Sequence, residues 1–141
     1  MEVELGLGVS AIGLFTFNGA TRLKSVKCNE GMVEIKGGSF NGCTGLSSIH
    51  FPSTLTAITG SGGTFGRCTS LYDLDFPESL KSISQYCFMD APISSAIFRG
   101  KTMEQVSAMA NYPWAIQRSA IHTWNVATQE WVLQQLSALQ Q

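Results

Sequence analysis

Phe40-Asn41-Gly42-Cys43-Thr44-Gly45-Leu46-Ser47-Ser48-Ile49-His50-Phe51-Pro52 is answered, further along the chain, by Phe65-Gly66-Arg67-Cys68-Thr69-Ser70-Leu71-Tyr72-Asp73-Leu74-Asp75-Phe76-Pro77. Phe, Cys, Leu, an aliphatic residue, Phe and Pro recur in the same order and at the same offsets. A second apolar pair follows each block, Leu55 and Ile58 after the first, Leu80 and Ile83 after the second. Self-similarity at a fixed short period is the mark of a repeat architecture.

Working backwards, Met32 stands 23 residues before Leu55, and the step back to Val9, Ile12, Phe17, Ala20, Leu23, Val26 and Cys28 is again 23. Working forwards, the set continues as Leu80, Ile83, Phe88, Ala91, Ile93, Ala96 and Phe98, with one residue deleted after Ala91. Val3 and Leu5 stand where Ile49 and Phe51 stand before Leu55, so the pattern opens in mid-repeat. Half a copy and four full copies cover residues 3 to about 100. The copy containing Phe65 holds two extra residues within Gly60-Ser61-Gly62-Gly63. In each copy Leu46, Ile49 and Phe51, or their equivalents, face inward from a short strand. Pro52 ends that strand because it has no N–H for a ladder. One copy cannot bury this face alone, whereas stacked copies form a continuous core.

The pattern Phe-X-X-Cys-X-X-Leu-X-X-Ile-X-Phe-Pro-X-X-Leu, with Phe40 to Leu55 and Phe65 to Leu80 as its best copies, resembles the BspA-like leucine-rich repeat. The first copy departs from it with Ala20 and Cys28, the fourth with Ala91, as terminal repeats do. The resemblance implies a surface or secreted microbial protein, often one linked to adhesion. The expected fold is therefore a mostly β leucine-rich-repeat solenoid, poor in helix, over residues 1–101.

A capping and connecting segment is expected over 102–125 and an amphipathic terminal helix over 126–141. Thr102-Met103-Glu104-Gln105 reads as a capping box, with Thr102 as N-cap and Gln105 reaching back. The helix it starts should run to about Ala110 and turn Met103, Val106, Met109 and Ala110 to the last repeat, before Pro113 stops it. Ile121 to Trp124 reads as a short strand. From about Thr128 a helix is expected, with Val132, Leu136 and Leu139 on one stripe. The C-terminal segment weakly resembles bacterial and prophage fibre-type proteins, which implies a possible homotrimer through that stripe.

Hydrophobic residues make up 44% of the chain, enough for a core, while only 13% are charged against about 25% in ordinary soluble domains. Net charge is −1 with no basic block, so nothing prefigures nucleic-acid binding. The acidic start Met1-Glu2-Val3-Glu4 does not read as a signal peptide, and no apolar run approaches a membrane span. A location outside the cell, on its surface or in a virion, is the expectation, with any export signal on a longer parent chain.

The cysteines do not form a C-x-x-C motif. Cys43 and Cys68 occupy the same inward position of adjacent copies, Cys28 a strand core position, and Cys87 precedes Phe88. Small buried apolar groups are expected, although neighbouring coils lie about 5 Å apart, close enough for a Cys43–Cys68 bridge. Gly6-Leu7-Gly8-Val9-Ser10-Ala11 matches a dinucleotide fingerprint by letters alone, since Val9 and Ile12 belong to the repeat and no helix should follow. Gly60 to Gly63 lacks the lysine of a phosphate loop. No catalytic, cofactor or metal constellation emerges.

What remains is the outward face of the strands. Register aligns Lys27, His50 and Asp75 in one column and Ser25, Ser48 and Asp73 in a second, with Ile97 and Ser95 next in line. Solenoids bind partners on such faces. Lys27, Ser48, His50, Asp73 and Asp75 are therefore the candidate contact residues for an unknown protein or glycan. The functional expectation is a non-enzymatic recognition or adhesion module. The alternatives are a virion component, such as a fibre head, and a structural spacer.

Overall fold

The computed structural model describes residues 1–60, 63–109, 115–125 and 130–131. In chain order the elements are β1 (Glu2–Glu4), β2 (Ala11–Ile12), β3 (Ser25–Lys27), β4 (Glu34–Ile35), β5 (Ser48–His50), β6 (Ala57–Ile58), β7 (Asp73–Phe76), β8 (Ser82–Ile83), β9 (Ser95–Arg99), α1 (Met103–Met109), a 3-10 turn (Arg118–Ala120), β10 (Ile121–Asn125) and β11 (Glu130–Trp131). Odd-numbered strands up to β9 line one wall and β2, β4, β6 and β8 a second, with parallel ladders between strands one coil apart everywhere but between β5 and β7. This is the expected solenoid, with the half-copy at the start supplying β1.

Alternation along each strand follows from the two-residue period of β structure. Val26 and Ile49 turn inward between outward-facing neighbours, as do Leu74 and Phe76. In the turn between the walls, Phe17, Phe40, Phe65 and Phe88 stack with ring centroids 5.3, 5.0 and 5.3 Å apart. A second column, Phe51, Phe76 and Phe98, rises beside it at 5.3 and 4.8 Å. Phe40, Phe65, Phe76, Phe88 and Phe98 are wholly buried, each contributing about 2–3 kcal/mol by leaving water.

Each plug phenylalanine lies between two backbone positions of left-handed conformation. Two residues before it stand Phe15, Gly38, Gly63 and Tyr86, and two residues after it Gly19, Gly42, Arg67 and Asp90, all with φ between 56° and 76°. The turn thus reverses twice around the ring it buries. Half of these positions are glycine, where that conformation carries no steric cost.

The first wall is interrupted once. β5 ends a three-stranded sheet and β7 begins another, so no ladder bond joins them, although their Cα atoms approach within 8 Å. Lys27 and His50 are 23 residues apart, whereas His50 and Asp75 are 25 apart because of the two extra residues before Phe65. Coil length alone does not break a ladder here, since Ala57 and Ser82, also 25 apart, pair in register on the second wall. Ser70 Oγ, bonded to Thr44 O at 2.7 Å, still ties the two coils together.

The capping box forms as read: the Thr102 N–H donates to Gln105 Oε1 at 2.8 Å and the Gln105 N–H to Thr102 Oγ1 at 3.2 Å. Met103 and Val106 are buried, Met109 packs at the edge of the core, and Ala110 lies outside the described residues. β10 forms where a short strand was expected and adds to β9 in parallel, Ile121 opposite Ala96. Glu130 and Trp131 are not helical as expected. They pair antiparallel with Asn125 and Trp124, a backbone state that tryptophan favours. Val132, Leu136 and Leu139 lie outside the described residues.

Candidate functional site

The strand wall fixes the expected polar columns in two parts, one on either side of the break between β5 and β7. Ser25 lies opposite Ser48 and Lys27 opposite His50, while Asp73 lies opposite Ser95 and Asp75 opposite Ile97. Ser48, His50, Asp73 and Asp75 are exposed on strands whose inward residues are packed. Ser25, Lys27, Ser48 and His50 share a shallow trough with Glu2 and Glu4. Lys27 Nζ lies 3.8 Å from Glu4 Oε1, a solvated pair that contributes little.

The break between β5 and β7 divides the set. Lys27, Ser48 and His50 belong to one sheet, Asp73 and Asp75 to the other, and His50 borders both the trough and a cleft at the break. The cleft adds three polar residues that the columns did not include: Glu30, Ser53 and Arg99. The Glu30 carboxylate accepts from the Ser53 backbone N–H at 3.0 Å and from Ser53 Oγ at 2.6 Å. The Ser53 hydroxyl, its backbone N–H and the nearby His50 hold the Glu30 carboxyl below its ordinary pKa. Arg99 clamps Asp75 with two bonds, Nε to Oδ1 at 2.7 Å and Nη2 to Oδ2 at 2.9 Å. The hydrogen bond and charge of Asp75 raise the guanidinium further above its usual value. Glu30 and Ser53 are one period apart, so the repeat register carried the signal for that pair. Arg99 lies at the end of the last copy, diagonal to Asp75, where the side-chain pattern fades.

All four cysteines are buried free thiols. Cys43 Sγ donates to Phe17 O at 3.0 Å and Cys68 Sγ to Phe40 O at 3.2 Å. The thiol thus satisfies the carbonyl of the plug one coil earlier, and no Cys43–Cys68 bridge forms. Burial pushes the Cys28, Cys68 and Cys87 thiols up to about 12 and Cys43 in the same direction. The Gly6–Gly8 stretch leads from β1 into β2 with no helix after it. Among the described residues, no three His, Cys, Asp or Glu side chains converge as metal ligands, and no helix is long and apolar enough to cross a membrane.

Three solved structures share the architecture. A leucine-rich cell-surface protein from Faecalibacterium prausnitzii superposes with a TM-score of 0.67 at 23% identity, over 77% of this chain and 34% of that one. A leucine-rich-repeat protein from Bacteroides ovatus gives 0.62 at 24%, over 70% and 27%. The leucine-rich-repeat protein of T. pallidum gives 0.50 at 26%, over 69% and 58%. The chain thus spans about a third of the length of the first and about a quarter of the second. A search of curated proteins finds no match. The profile of the BspA-type leucine-rich repeat region matches residues 1–112 in six copies, reaching past Gly100 into the segment of α1. With its strand register, its phenylalanine columns and that match over most of its length, the chain belongs to the BspA-type leucine-rich repeat family.

Proposed function

We propose that this chain is a non-enzymatic recognition module of a microbial cell-surface protein, binding a protein or glycan with the outer face of β3, β5 and β7. The observation that carries the reading is the strand face itself. Lys27, Ser48, His50, Asp73 and Asp75 are held on a wall whose inward side chains are packed, so little order need be gained on binding. The family, and the cell-surface description of the F. prausnitzii neighbour, support a location outside the cell. The virion reading rests on Val132, Leu136 and Leu139, outside the described residues, and no comparison favours it.

The test is a printed array of glycans and extracellular-matrix proteins probed with the fluorescent chain. A variant carrying Lys27→Ser, Ser48→Ala, His50→Ser, Asp73→Ser and Asp75→Ser is expected to lose the signal. Lys81→Ala, on the approach to β8 in the other wall, is expected to keep it. A signal indifferent to the five substitutions, or an array silent throughout, overturns the reading.

A further inference from the structure

The break in the strand wall is chemically distinct from the rest of that wall. In a parallel sheet, alternate residues direct their N–H and C=O groups to opposite neighbours. β5 and β7 each bond on one side only, so each turns main-chain donors and acceptors towards a strand it does not pair with. Such groups need partners, whether water or ligand. Beside them stand the side chains of Glu30, His50, Asp75 and Arg99, of both hydrogen-bonding senses, with Ile49 also lining the cleft. Glu30 and Asp75 accept, and His50 and Arg99 donate.

Size and charge narrow the occupant. Inserting a strand between β5 and β7 requires about 9.6 Å, two inter-strand spacings, and the two strands already lie within 8 Å. A peptide adding as a strand is excluded. Two carboxylates against one guanidinium leave the walls net acidic, which disfavours phosphate, sulfate or carboxylate groups. A cation engages acceptors only, and leaves the strand N–H groups without a partner. Hydroxyl groups both donate and accept, and carry no charge. Both carboxylates are already immobilised, Glu30 by Ser53 and Asp75 by Arg99, so fixing them again costs little on binding.

We propose that the seam between β5 and β7 is a subsite for a neutral saccharide, whose hydroxyls bridge Glu30, His50, Asp75 and Arg99 across the two strand edges. The inference rests on the recognition reading above and narrows it to one ligand class.

The experiment is an amide-shift titration of the whole chain with methyl α-mannoside, methyl β-galactoside, methyl β-glucoside and the methyl glycoside of N-acetylglucosamine. Each is added to about 50 mM, above the millimolar Kd of a weak single-sugar contact. Shifts are expected at Glu30, Ser48–Phe51, Ser53 and Asp73–Phe76 with at least one sugar. Glu30→Gln and Asp75→Asn are expected to weaken that binding about tenfold, the weight of a charge-assisted bond, with Lys81→Ala unchanged. Spectra of the free variants confirm that they fold. No shift at the seam with any of these sugars, or shifts that ignore both substitutions, overturns the proposal. If the array then shows binding only to proteins, lost in the five-residue variant, the saccharide inference has failed and the recognition reading stands. A silent array together with a seam that gives no shift removes both.

Discussion

Phe65 is the side chain on which the stacking argument bears hardest. Its ring lies between Phe40 at 5.0 Å and Phe88 at 5.3 Å, with Phe51 edge-on at 6.2 Å, and it is fully buried. Phe65→Ala removes the transfer free energy of the ring and leaves a cavity, together about 3–5 kcal/mol. Each aromatic pair adds about 0.5–1.5 kcal/mol beyond area, so the upper end, about 5 kcal/mol, is expected. Phe17 has one ring neighbour, Phe40, and is only partly buried. Its replacement by alanine is expected to cost about 2 kcal/mol. With a urea m-value of about 2 kcal/mol per molar, the midpoints fall by roughly 2.5 M and 1 M. The assay is urea unfolding followed by far-UV circular dichroism. Because about 5 kcal/mol can exhaust the stability of a small domain, Phe65→Leu, at about 1–2 kcal/mol, keeps the comparison measurable. Equal midpoint shifts for Phe17→Ala and Phe65→Ala refute the idea that the interior of the stack carries more of the stability than its end.

Ile49→Asp buries an unpaired carboxylate and is expected to cost about 3–5 kcal/mol, whereas His50→Ala, one residue along on the outer face, changes stability by less than about 0.5 kcal/mol; urea midpoints check both, and equal losses contradict the face assignment. Asp90→Gly relieves a left-handed residue with φ of 62° and is expected to raise stability by about 0.5–1 kcal/mol, read as a higher melting temperature, while a lower one counts against strain at that turn. The thiols of Cys28, Cys68 and Cys87 ionise near 9.0 when free but at about 12 when buried. The folded chain therefore keeps protons that the unfolded chain loses, so these thiols leave stability unchanged below about pH 8 and lower it between about 9 and 12, by up to about 1.4 kcal/mol per pH unit for each thiol. Cys87→Ala is expected to flatten that alkaline slope, and a slope unaltered by the substitution contradicts the assignment.

The coil-by-coil register was legible because inward residues must alternate and plugs must recur where the chain turns. Side-chain type alone placed Val26, Ile49, Leu74, Phe40 and Phe65. The Thr102–Gln105 box was equally local, its partners three residues apart. The columns of the outer face followed from the same period and led to Lys27, Ser48, His50, Asp73 and Asp75. What periodicity does not show is where a ladder fails: His50 and Asp75 share one column by spacing, yet β5 and β7 do not pair. Arg99 was missed because its importance depends on a diagonal neighbour, and β10 joins the ladder although the side-chain period ends before it. At Glu130 and Trp131 the helix expected from about Thr128 gives way to pairing with Trp124 and Asn125, a contact that local spacing does not reveal.

The small hydroxyls of this chain have a further consequence. Ser47 Oγ bonds to Lys24 O, Ser70 Oγ to Thr44 O, Ser94 Oγ to Tyr72 O, Thr54 Oγ1 to Met32 O and Thr56 Oγ1 to Val33 O. Each reaches back one coil and satisfies a main-chain carbonyl of its predecessor. The abundance of serine and threonine is thus partly internal carpentry rather than surface dressing. A duplicated block carries its own ring, its own inward strand residues and its own tether to the block before it. Lengthening such a protein demands no new invention at the joint, and a two-residue insertion is absorbed in a turn while the phenylalanine stack and the second wall run on across it. Variation in coil number and in turn length then becomes the cheapest route by which this architecture can alter the surface it presents.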